Sequence, residues 1–312
     1  MRIWNSILEA RQELAKTKQS TVITIGNFDG IHLGHQEIMR RTVELAKAKN
    51  ALATVFSFSN HSESIFSEQP FLINTPQIRQ KLLEQQEIGA LLEIEFDYRF
   101  AKIEPEDFFE KWLVEGLHVQ ALVVGYDFKF GAEGRGDFTL LKKLGSKYDI
   151  EIQKVAPIYQ QNTVISSSYI RQLLAEGHIE KANQMLGYYF VLEGEVISGE
   201  KRGRNLGYPT ANLQLDPEYL LPCYGVYLVR LTTESNCFYG IANVGIKPTF
   251  GKYRPLVEVY LFDVEINLYH KPVKVEFIKF IRPENRFSGP ESLKNQIARD
   301  VAAAKELLLE FS

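Results

Sequence analysis

A glycine-rich turn at residues 26–35, with the sequence GNFDGIHLGH, constrains the fold of this chain more than any other segment. An apolar run of strand length precedes the turn, and a long segment with helical periodicity follows it. Glycine lacks a Cβ atom, so it allows a sharp exit from a strand and a close approach of the backbone to a ligand. The next helix offers free N–H groups and the positive end of its dipole near His32 and His35. We therefore predict a strand–turn–helix unit that holds the phosphates of a nucleotide.

The two histidines also have a simpler interpretation, because either one alone could cap a helix on a surface loop. Their spacing as His-X-Gly-His directly after a strand favours the phosphate interpretation. Imidazole suits that role, since near neutral pH it can donate hydrogen bonds to phosphoryl oxygens.

Composition limits the classes of partner. The 312 residues are enough for two ordinary domains, and 45% hydrophobic and 24% charged residues are typical of a globular protein. Thirty-six Lys and Arg against 39 Asp and Glu give a net charge of −3, which indicates neither nucleic acid nor an acidic membrane as a partner. The two cysteines, Cys223 and Cys237, have no metal-binding spacing and are expected to be small packing residues. Small molecules are the predicted partners.

The N-terminal sequence lacks the apolar core of a signal peptide, and no apolar run approaches the length of a membrane span. We expect a cytoplasmic protein without a membrane partner.

The first half of the chain alternates between strand-like and helix-like segments, which describes βα units that wind a parallel sheet. The strand candidates are residues 21–26, 51–58, 91–96, 121–125 and 151–158, and the helix candidates are residues 36–49, 76–87, 105–115 and 138–147. Ligands of such sheets bind at the carboxyl ends of the strands. We therefore expect the loops at residues 26–35, 57–61 and 125–131 to converge.

The second half of the chain begins with two short helix candidates at residues 168–176 and 179–186. After them, apolar residues alternate with a period of two, which is typical of β-strands. The strand candidates of this half are residues 190–197, 224–231, 238–244, 256–262 and 273–281. Their intervals are typical of a small antiparallel barrel or sandwich, which an amphipathic helix at residues 290–309 closes. The predicted fold is thus an α/β domain at residues 1–186 and a β domain at residues 187–312.

A second anion-binding element is predicted at residues 165–171, with the sequence ISSSYIR. The serines can cap the following helix or bind phosphate, and for any one serine capping is at least as good an interpretation. Arg171 favours phosphate, because its guanidinium can bridge two phosphate oxygens. Two helix N-termini and two histidines would stabilise a pentavalent phosphorus and a departing pyrophosphate.

The segment at residues 199–212, GEKRGRNLGYPTAN, is a candidate phosphate and metal site in the β domain. Its backbone N–H groups can cradle phosphates, and the Thr210 hydroxyl and Asn212 amide oxygen can hold Mg²⁺. A plain hairpin loop would also use glycines and cations. In the strand candidate at residues 256–262, alternation places Glu258 and Tyr260 on one face and the valines on the other. A glutamate on an exposed face is usually only solvated.

These motifs resemble the prokaryotic bifunctional FAD synthetase family, in which a riboflavin kinase is fused to an FMN adenylyltransferase. The resemblance covers nearly the whole chain and rests on residues 26–35, 125–131 (GYDFKFG), 165–171, 199–212, 240–249 (GIANVGIKPT) and 257–263 (VEVYLFD). It implies a Rossmann-like nucleotidylyltransferase domain and a riboflavin kinase barrel.

The resemblance also implies residue roles. In the first domain, His32, His35 and Arg171 act on the ATP phosphates, and the nucleotide and flavin contacts are Gly26, Phe28, Asp29, Gly34, His61, Asp127, Phe128, Ser166 and Ser167. In the barrel, Glu258 is the catalytic base, Thr210 and Asn212 hold the metal, and the remaining ligand contacts are Arg204, Tyr208, Asn243, Arg282 and Phe287.

Two segments depart from the family pattern. Asn60-His61-Ser62 stands where the family commonly has Pro-His-Pro, at the wall of the flavin pocket. Asn267-Leu-Tyr-His270 stands where the family usually has Asp-Leu-Tyr-Gly, and a positive φ there would strain His270 and slow the kinase.

The predicted function is FAD biosynthesis: ATP and Mg²⁺ convert riboflavin to FMN, and ATP then adenylylates FMN to FAD with release of pyrophosphate. One alternative keeps only the adenylyltransferase beside a weakened or silent kinase barrel, and another is a flavin-binding protein without catalysis. The sequence leaves weak self-association open.

Overall fold

A computed structural model describes residues 1–60, 72–199, 203, 206–216, 218–249, 252–264 and 266–309. Contacts between Cα atoms divide them into two compact units, each described by itself below. The first unit contains residues 1–60 and 76–166, and the second contains residues 72–75 and 167–309. The predicted boundary between functional domains, after residue 186, stays a prediction.

The first unit is built around a sheet of six parallel strands. The strands are β1 (Arg2–Trp4), β2 (Thr21–Ile25), β3 (Leu52–Phe58), β4 (Ala90–Ile94), β5 (Val119–Gly125) and β6 (Glu151–Val155). A two-stranded ribbon follows, formed by β7 (Tyr159–Gln160) and β8 (Thr163–Val164). The predicted parallel sheet is confirmed; β1 was not predicted, because three residues are too short to show a period.

Helices cover both faces of this sheet. They are α1 (Ile7–Thr17), α2 (Leu33–Lys49), α3 (Pro76–Gln85), α4 (Pro105–Asp107), α5 (Glu115–Leu117) and α6 (Phe138–Lys147). Caps define several ends: the Ser6 and Asp137 side chains accept from the backbone at the starts of α1 and α6, and Asn50 ends α2 in the left-handed conformation. Alternate residues of the central strands enter two separate apolar clusters, one on each face.

One predicted helix is irregular. Residues 105–115 were expected to form a continuous α-helix, but Phe108–Val114 between α4 and α5 is π-helical. Phe108, Phe109 and Leu113 of this π-helical segment are buried, and Phe108 and Leu113 have the five-residue spacing of a π turn.

The strand order of the sheet is β1-β4-β3-β2-β5-β6. The chain builds outward from β2 on one side and then crosses to β5, which lies on the other side of β2. The carboxyl ends of β2 and β5 therefore flank the point where the order reverses, and ligands of open α/β sheets bind at such a point. The predicted loops at residues 26–35 and 125–131 begin at these two strand ends.

The second unit is a closed barrel of six antiparallel strands in the order β10-β13-β12-β11-β14-β9. The strands are β9 (Phe190–Ile197), β10 (Thr210–Gln214), β11 (Gly225–Thr232), β12 (Cys237–Thr249), β13 (Lys252–Leu261) and β14 (Pro272–Pro283). The unit also contains the helices α7 (Ser167–Ala175), α8 (Ile179–Leu186) and α9 (Pro290–Leu309). The predicted barrel and terminal helix are confirmed, whereas β10 was interpreted from sequence as a loop.

The barrel has two apolar layers. Its interior is filled by alternate residues of the strands, such as Val229, Val257 and Val259, which are at most 1% exposed. A second cluster lies outside the wall, where residues such as Leu228 and Ile241 pack against α9. One face of the wall is therefore sheltered by the terminal helix, and polar residues on that face can line a pocket.

Candidate active sites

The turn after β2 holds His32 as the N-cap of α2. The backbone N–H of His35 donates to Nδ1 of His32, with an N···N distance of 3.3 Å. Because Nδ1 accepts this bond, the neutral imidazole carries its proton on Nε2, which becomes a donor. His32 is 5% exposed, so its ring is fixed in a largely dry position at the positive end of the helix.

His35 stacks on His32, with ring centroids 3.7 Å apart and an interplanar angle of 17°. The edge of Phe28 lies against His35, with centroids 5.2 Å apart. A Cβ atom on Gly34 would lie 3.1 Å from Cε1 of His32, so a larger residue would press on that ring. The sequence pattern therefore produces a compact histidine pair, and its role toward phosphate stays a prediction.

The end of β3 meets the same turn. The Ser57 hydroxyl donates to the carbonyl oxygen of Asn27 over 3.2 Å. Asp29, 4% exposed, and half-buried Gly26 lie on the same turn. The structure thus brings two of the three predicted loops together at the carboxyl edge of the sheet.

The loop after β5 approaches α2. A Cβ atom on Gly125 would lie 3.3 Å from Oδ1 of Asp127 and 3.5 Å from Cδ1 of Ile38, a residue of α2. Asp127 is exposed, and half-buried Phe128 stacks on Phe130 with centroids 5.8 Å apart. The loop that carries this carboxylate and aromatic ring therefore leaves the sheet near α2, and their contacts with a flavin stay predictions.

The start of the serine motif also reaches this edge, because the carbonyl oxygen of Ile165 would lie 3.8 Å from a Cβ atom on Gly34. Ser166 follows directly. Ser167 and Arg171 lie on α7, which belongs to the second compact unit. The roles of these three residues toward ATP stay predictions.

In the barrel, one row of side chains crosses five adjacent strands. Asn212 lies opposite Glu258, Glu258 opposite Asn243, Asn243 opposite Val226, and Val226 opposite Arg282. Directly opposed residues of antiparallel strands have Cβ atoms about 5 Å apart on the same face. The ladder therefore places two amides, a carboxylate and a guanidinium in one line, although they are distant in sequence.

This row lines a cavity of about 400 Å³, a size typical of small-molecule sites. Glu258 faces the cavity, while its neighbours Val257 and Val259 are buried inside the barrel. Seven of the predicted barrel residues line the cavity: Tyr208, Thr210, Asn212, Asn243, Glu258, Arg282 and Phe287. Arg204 of the barrel and His61 of the first unit lie outside the described residues.

Thr210 and Asn212 suit a hard divalent cation. They are two residues apart on β10, so they share the face that lines the cavity, and Glu258 lies opposite Asn212. A Cβ atom on Gly199 would lie 2.4 Å from Nδ2 of Asn212, so glycine leaves the room that this amide fills. A hydroxyl, an amide oxygen and a carboxylate are the ligand types that Mg²⁺ prefers.

Two tyrosines form part of the cavity wall. The rings of Tyr208 and Tyr260 meet edge to face with centroids 5.2 Å apart. Burial, followed by the charge of Asp263 and the neighbouring Tyr208, raises the pKa of Tyr260 above its ordinary value. The Tyr260 phenol therefore stays protonated at neutral pH.

Arg282 is held by the terminal helix. Its Nε and Nη2 donate to the two carboxylate oxygens of Asp300 over 2.8 and 2.7 Å, and Gln296 donates to the same carboxylate over 2.8 Å. The guanidinium carbon lies 5.7 Å from the ring centroid of Phe287. Asp300 was not predicted, because a single acid on an amphipathic helix gives no sequence signal of its partner.

Replacing Asp300 by asparagine is expected to lower the free energy of unfolding of the barrel by roughly 3 kcal/mol, because it leaves a buried charge partner unmatched. The Asp300 side chain is 4% exposed and that of Arg282 is 17% exposed. Urea unfolding followed by circular dichroism measures the change. Glu306→Gln, on the exposed part of the same helix, is the control and should have almost no effect. Equal midpoints for both variants would contradict the prediction.

His270 adopts a positive φ, the conformation that the family's glycine at this position suggested. Its φ is 60°, its N–H donates to the Val196 carbonyl over 2.9 Å, and Nδ1 lies 3.1 Å from Oε1 of Glu195. Histidine is among the residues that tolerate this conformation. The side chain is 80% exposed and is not among the residues that line the cavity.

His270→Gly is therefore expected to change the rate of the kinase that the resemblance implies by less than about twofold, as for a surface substitution remote from the site. Steady-state turnover of riboflavin measures the effect, with the conversion of FMN as the reference in the same sample. A large gain in the glycine variant would show that this turn limits the kinase.

The geometry of each unit is suited to one class of reaction. A histidine pair at a helix N-terminus beside the switch point of a parallel sheet is suited to nucleotidyl transfer, and a carboxylate between two amides on a barrel wall is suited to phosphoryl transfer. Both geometries are those of enzymes that transfer phosphorus-containing groups.

Comparisons with known proteins place it in a family. The family model of FAD synthetase matches residues 14–169, and that of riboflavin kinase matches residues 186–308. The bifunctional riboflavin kinase/FMN adenylyltransferase of Buchnera aphidicola subsp. Acyrthosiphon pisum (strain APS) is 36% identical over 300 residues, 95% of this chain and 96% of the relative. The protein of the same name from Escherichia coli (strain K12) is 37% identical over 292 residues, 93% of each chain.

A crystal structure described as a macrolide-efflux protein from Streptococcus pneumoniae aligns with a TM-score of 0.83 and 31% identity over 90% of this chain and 92% of that chain. The chain belongs to the bifunctional riboflavin kinase/FMN adenylyltransferase family. Within the described ranges, no helix combines the length and the apolar character needed to cross a bilayer.

Proposed function

We propose that the two units carry out the two successive steps of FAD synthesis at the sites described above. The chain is a bifunctional transferase that phosphorylates riboflavin to FMN and adenylylates FMN to FAD, with ATP as the donor. The observation that carries the residue assignment is the row of Asn212, Glu258 and Asn243 along one cavity wall, together with the stacked pair of His32 and His35.

In the barrel, Glu258 accepts the proton of the terminal ribityl hydroxyl, whose oxygen attacks the γ-phosphorus of ATP while the bond to the ADP oxygen breaks. Thr210 and Asn212 would hold Mg²⁺, and the ion would supply positive charge to neutralise that of the transferring phosphate. Phe287 and the fixed guanidinium of Arg282 hold the flavin side. The flavin is thus oriented by groups that do not themselves react.

In the first unit, an oxygen of the FMN phosphate attacks the α-phosphorus of ATP, and the bond to the β-phosphate breaks to release pyrophosphate. Nε2–H of His32 donates to the oxygens on which charge accumulates, and His35 and the start of α2 add positive potential. Asp127 and Phe128 lie at the flavin, and the contacts of Ser167 and Arg171 with ATP stay predictions from the resemblance. No protein nucleophile is required, because the acceptor is itself a phosphate.

The assignment is tested with purified protein, ATP and Mg²⁺, supplied either with riboflavin or with FMN, under oxidised and reduced conditions. Chromatography of riboflavin, FMN and FAD over time should show FMN and then FAD from riboflavin, with pyrophosphate appearing with FAD. Addition of excess EDTA should stop both steps. Turnover that persists without a divalent cation would exclude the metal assignment.

The narrower alternative is an FMN adenylyltransferase with a weakened or silent kinase. It is motivated by the departure of His270 from the family pattern, although the exposed side chain of His270 does not line the cavity. Formation of FAD from FMN, without formation of FMN from riboflavin, would favour that alternative. A cytoplasmic location and weak self-association stay predictions.

A further inference from the structure

A buried arginine on α3 contacts the nucleotide turn but has no role in the chemistry described above. Arg79 is 8% exposed, and its Nη1 donates to the carbonyl oxygens of Phe58 and Asn27 over 3.0 and 3.3 Å. The same nitrogen lies 3.5 Å from the Ser57 hydroxyl oxygen, and Nη2 pairs with Glu93. The side chain therefore joins α3, the end of β3 and β4 to Asn27 of the turn.

The contacts of Arg79 converge on one atom. The Asn27 carbonyl oxygen accepts from both the Arg79 guanidinium and the Ser57 hydroxyl, at 3.3 and 3.2 Å. A carbonyl oxygen has two lone pairs, so two side chains can fix its direction more firmly than one can. The peptide plane after Asn27 is thereby held in place.

That peptide plane begins a strained turn. Phe28 has φ of 48° and Ile31 has φ of 23°, and both are residues that rarely adopt a positive φ. Such a conformation persists only where the surroundings over-determine it. His32 follows Ile31 directly, so the direction of the Asn27 carbonyl influences where the imidazole lies.

The chemistry of the cluster requires an arginine. Nη1 serves the Asn27 and Phe58 carbonyls while Nη2 serves Glu93, and the side chains of Arg79 and Glu93 are 10% and 13% exposed. A lysine would keep the charge opposite Glu93 but has no planar fork with which to address several acceptors.

We propose that Arg79 is a positioning residue for FMN adenylylation, which holds the Asn27 carbonyl and thereby fixes the strained turn that presents His32 to the phosphates of ATP. The inference rests on the proposed function of the first unit. It assigns Arg79 no contact with ATP or FMN.

The test is Arg79→Lys, with Arg41→Lys as the matched control, because Arg41 is an exposed arginine of α2 that pairs with Glu37. We expect the adenylylation kcat of the Arg79 variant to fall roughly 10- to 100-fold, as for a small misplacement of a catalytic group. The kinase rate of the same sample should be unchanged. Glu93→Gln is a second variant that keeps Arg79 and should give a smaller loss of the same kind.

A double-variant cycle separates positioning from general damage. If Arg79 acts through the turn, adding Arg79→Lys to His32→Asn should lower the adenylylation rate no further than His32→Asn alone. Hydrogen exchange should accelerate in residues 26–35 of the Arg79 variant and not in β5 or β6. Losses that multiply in the double variant, an unchanged adenylylation rate, or an equal loss of both activities would overturn the proposal. Absence of FAD formation by the wild-type protein would instead contradict the proposed function itself.

Discussion

Glu258→Gln is expected to lower the kinase kcat roughly 100- to 10,000-fold, the range that a positioned general base contributes. The amide keeps the size of the side chain and its place between Asn212 and Asn243, but it cannot accept the ribityl proton. Formation of FMN from riboflavin is measured in single-turnover experiments with saturating ATP. Formation of FAD from added FMN should continue at the wild-type rate, because Glu258 belongs to the barrel.

Glu284→Gln is the matched control for this prediction, since Glu284 is another carboxylate that lines the same cavity. If the cavity needs only negative charge, both variants should lose activity to the same extent. A large loss in the Glu258 variant with a small loss in the Glu284 variant is the expected outcome. Retained kinase turnover in Glu258→Gln would contradict its assignment as the base.

His32→Asn is expected to lower the adenylylation rate roughly 100- to 1000-fold, as removal of one donor to a developing negative charge does. Asparagine is a good N-cap, so it can still accept from the N–H of His35 and retain the start of α2. It does not place a donor where Nε2–H lies. Steady-state formation of FAD from FMN and ATP measures the effect.

His32→Ala distinguishes the cap from the donor. Alanine removes both the cap and the Nε2–H donor. It should therefore lower the adenylylation rate and also lower the free energy of unfolding by about 1 kcal/mol. If the donor sets the rate and the cap sets the stability, the two variants should have similar adenylylation rates, and His32→Ala should have a lower thermal midpoint than His32→Asn. Wild-type adenylylation in His32→Asn would show that His32 serves only as a cap.

Local sequence patterns sufficed for much of the fold. The strand that ends at Ile25, the turn with His32 and His35, and the terminal helix could be placed because each has its own period, caps or glycines. The alternation around Glu258 also placed its side chain on the correct face of β13.

Relations between distant segments could not be predicted in this way. The strand Thr210–Gln214 has few β-branched residues, and it is a strand because β9 and β13 supply its hydrogen-bond partners. The pairing of Arg282 with Asp300 depends on how α9 lies along the barrel, which no local period encodes. The same is true of Arg79, whose partners come from three other elements of the chain.

The line of residues from Asn212 to Arg282 runs over five neighbouring strands of a closed cylinder. No pair or triple of those strands contains all the residues proposed to bind and phosphorylate riboflavin. We therefore expect a partly assembled cylinder to lack at least one of these residues, so that full kinase activity requires the closed cylinder.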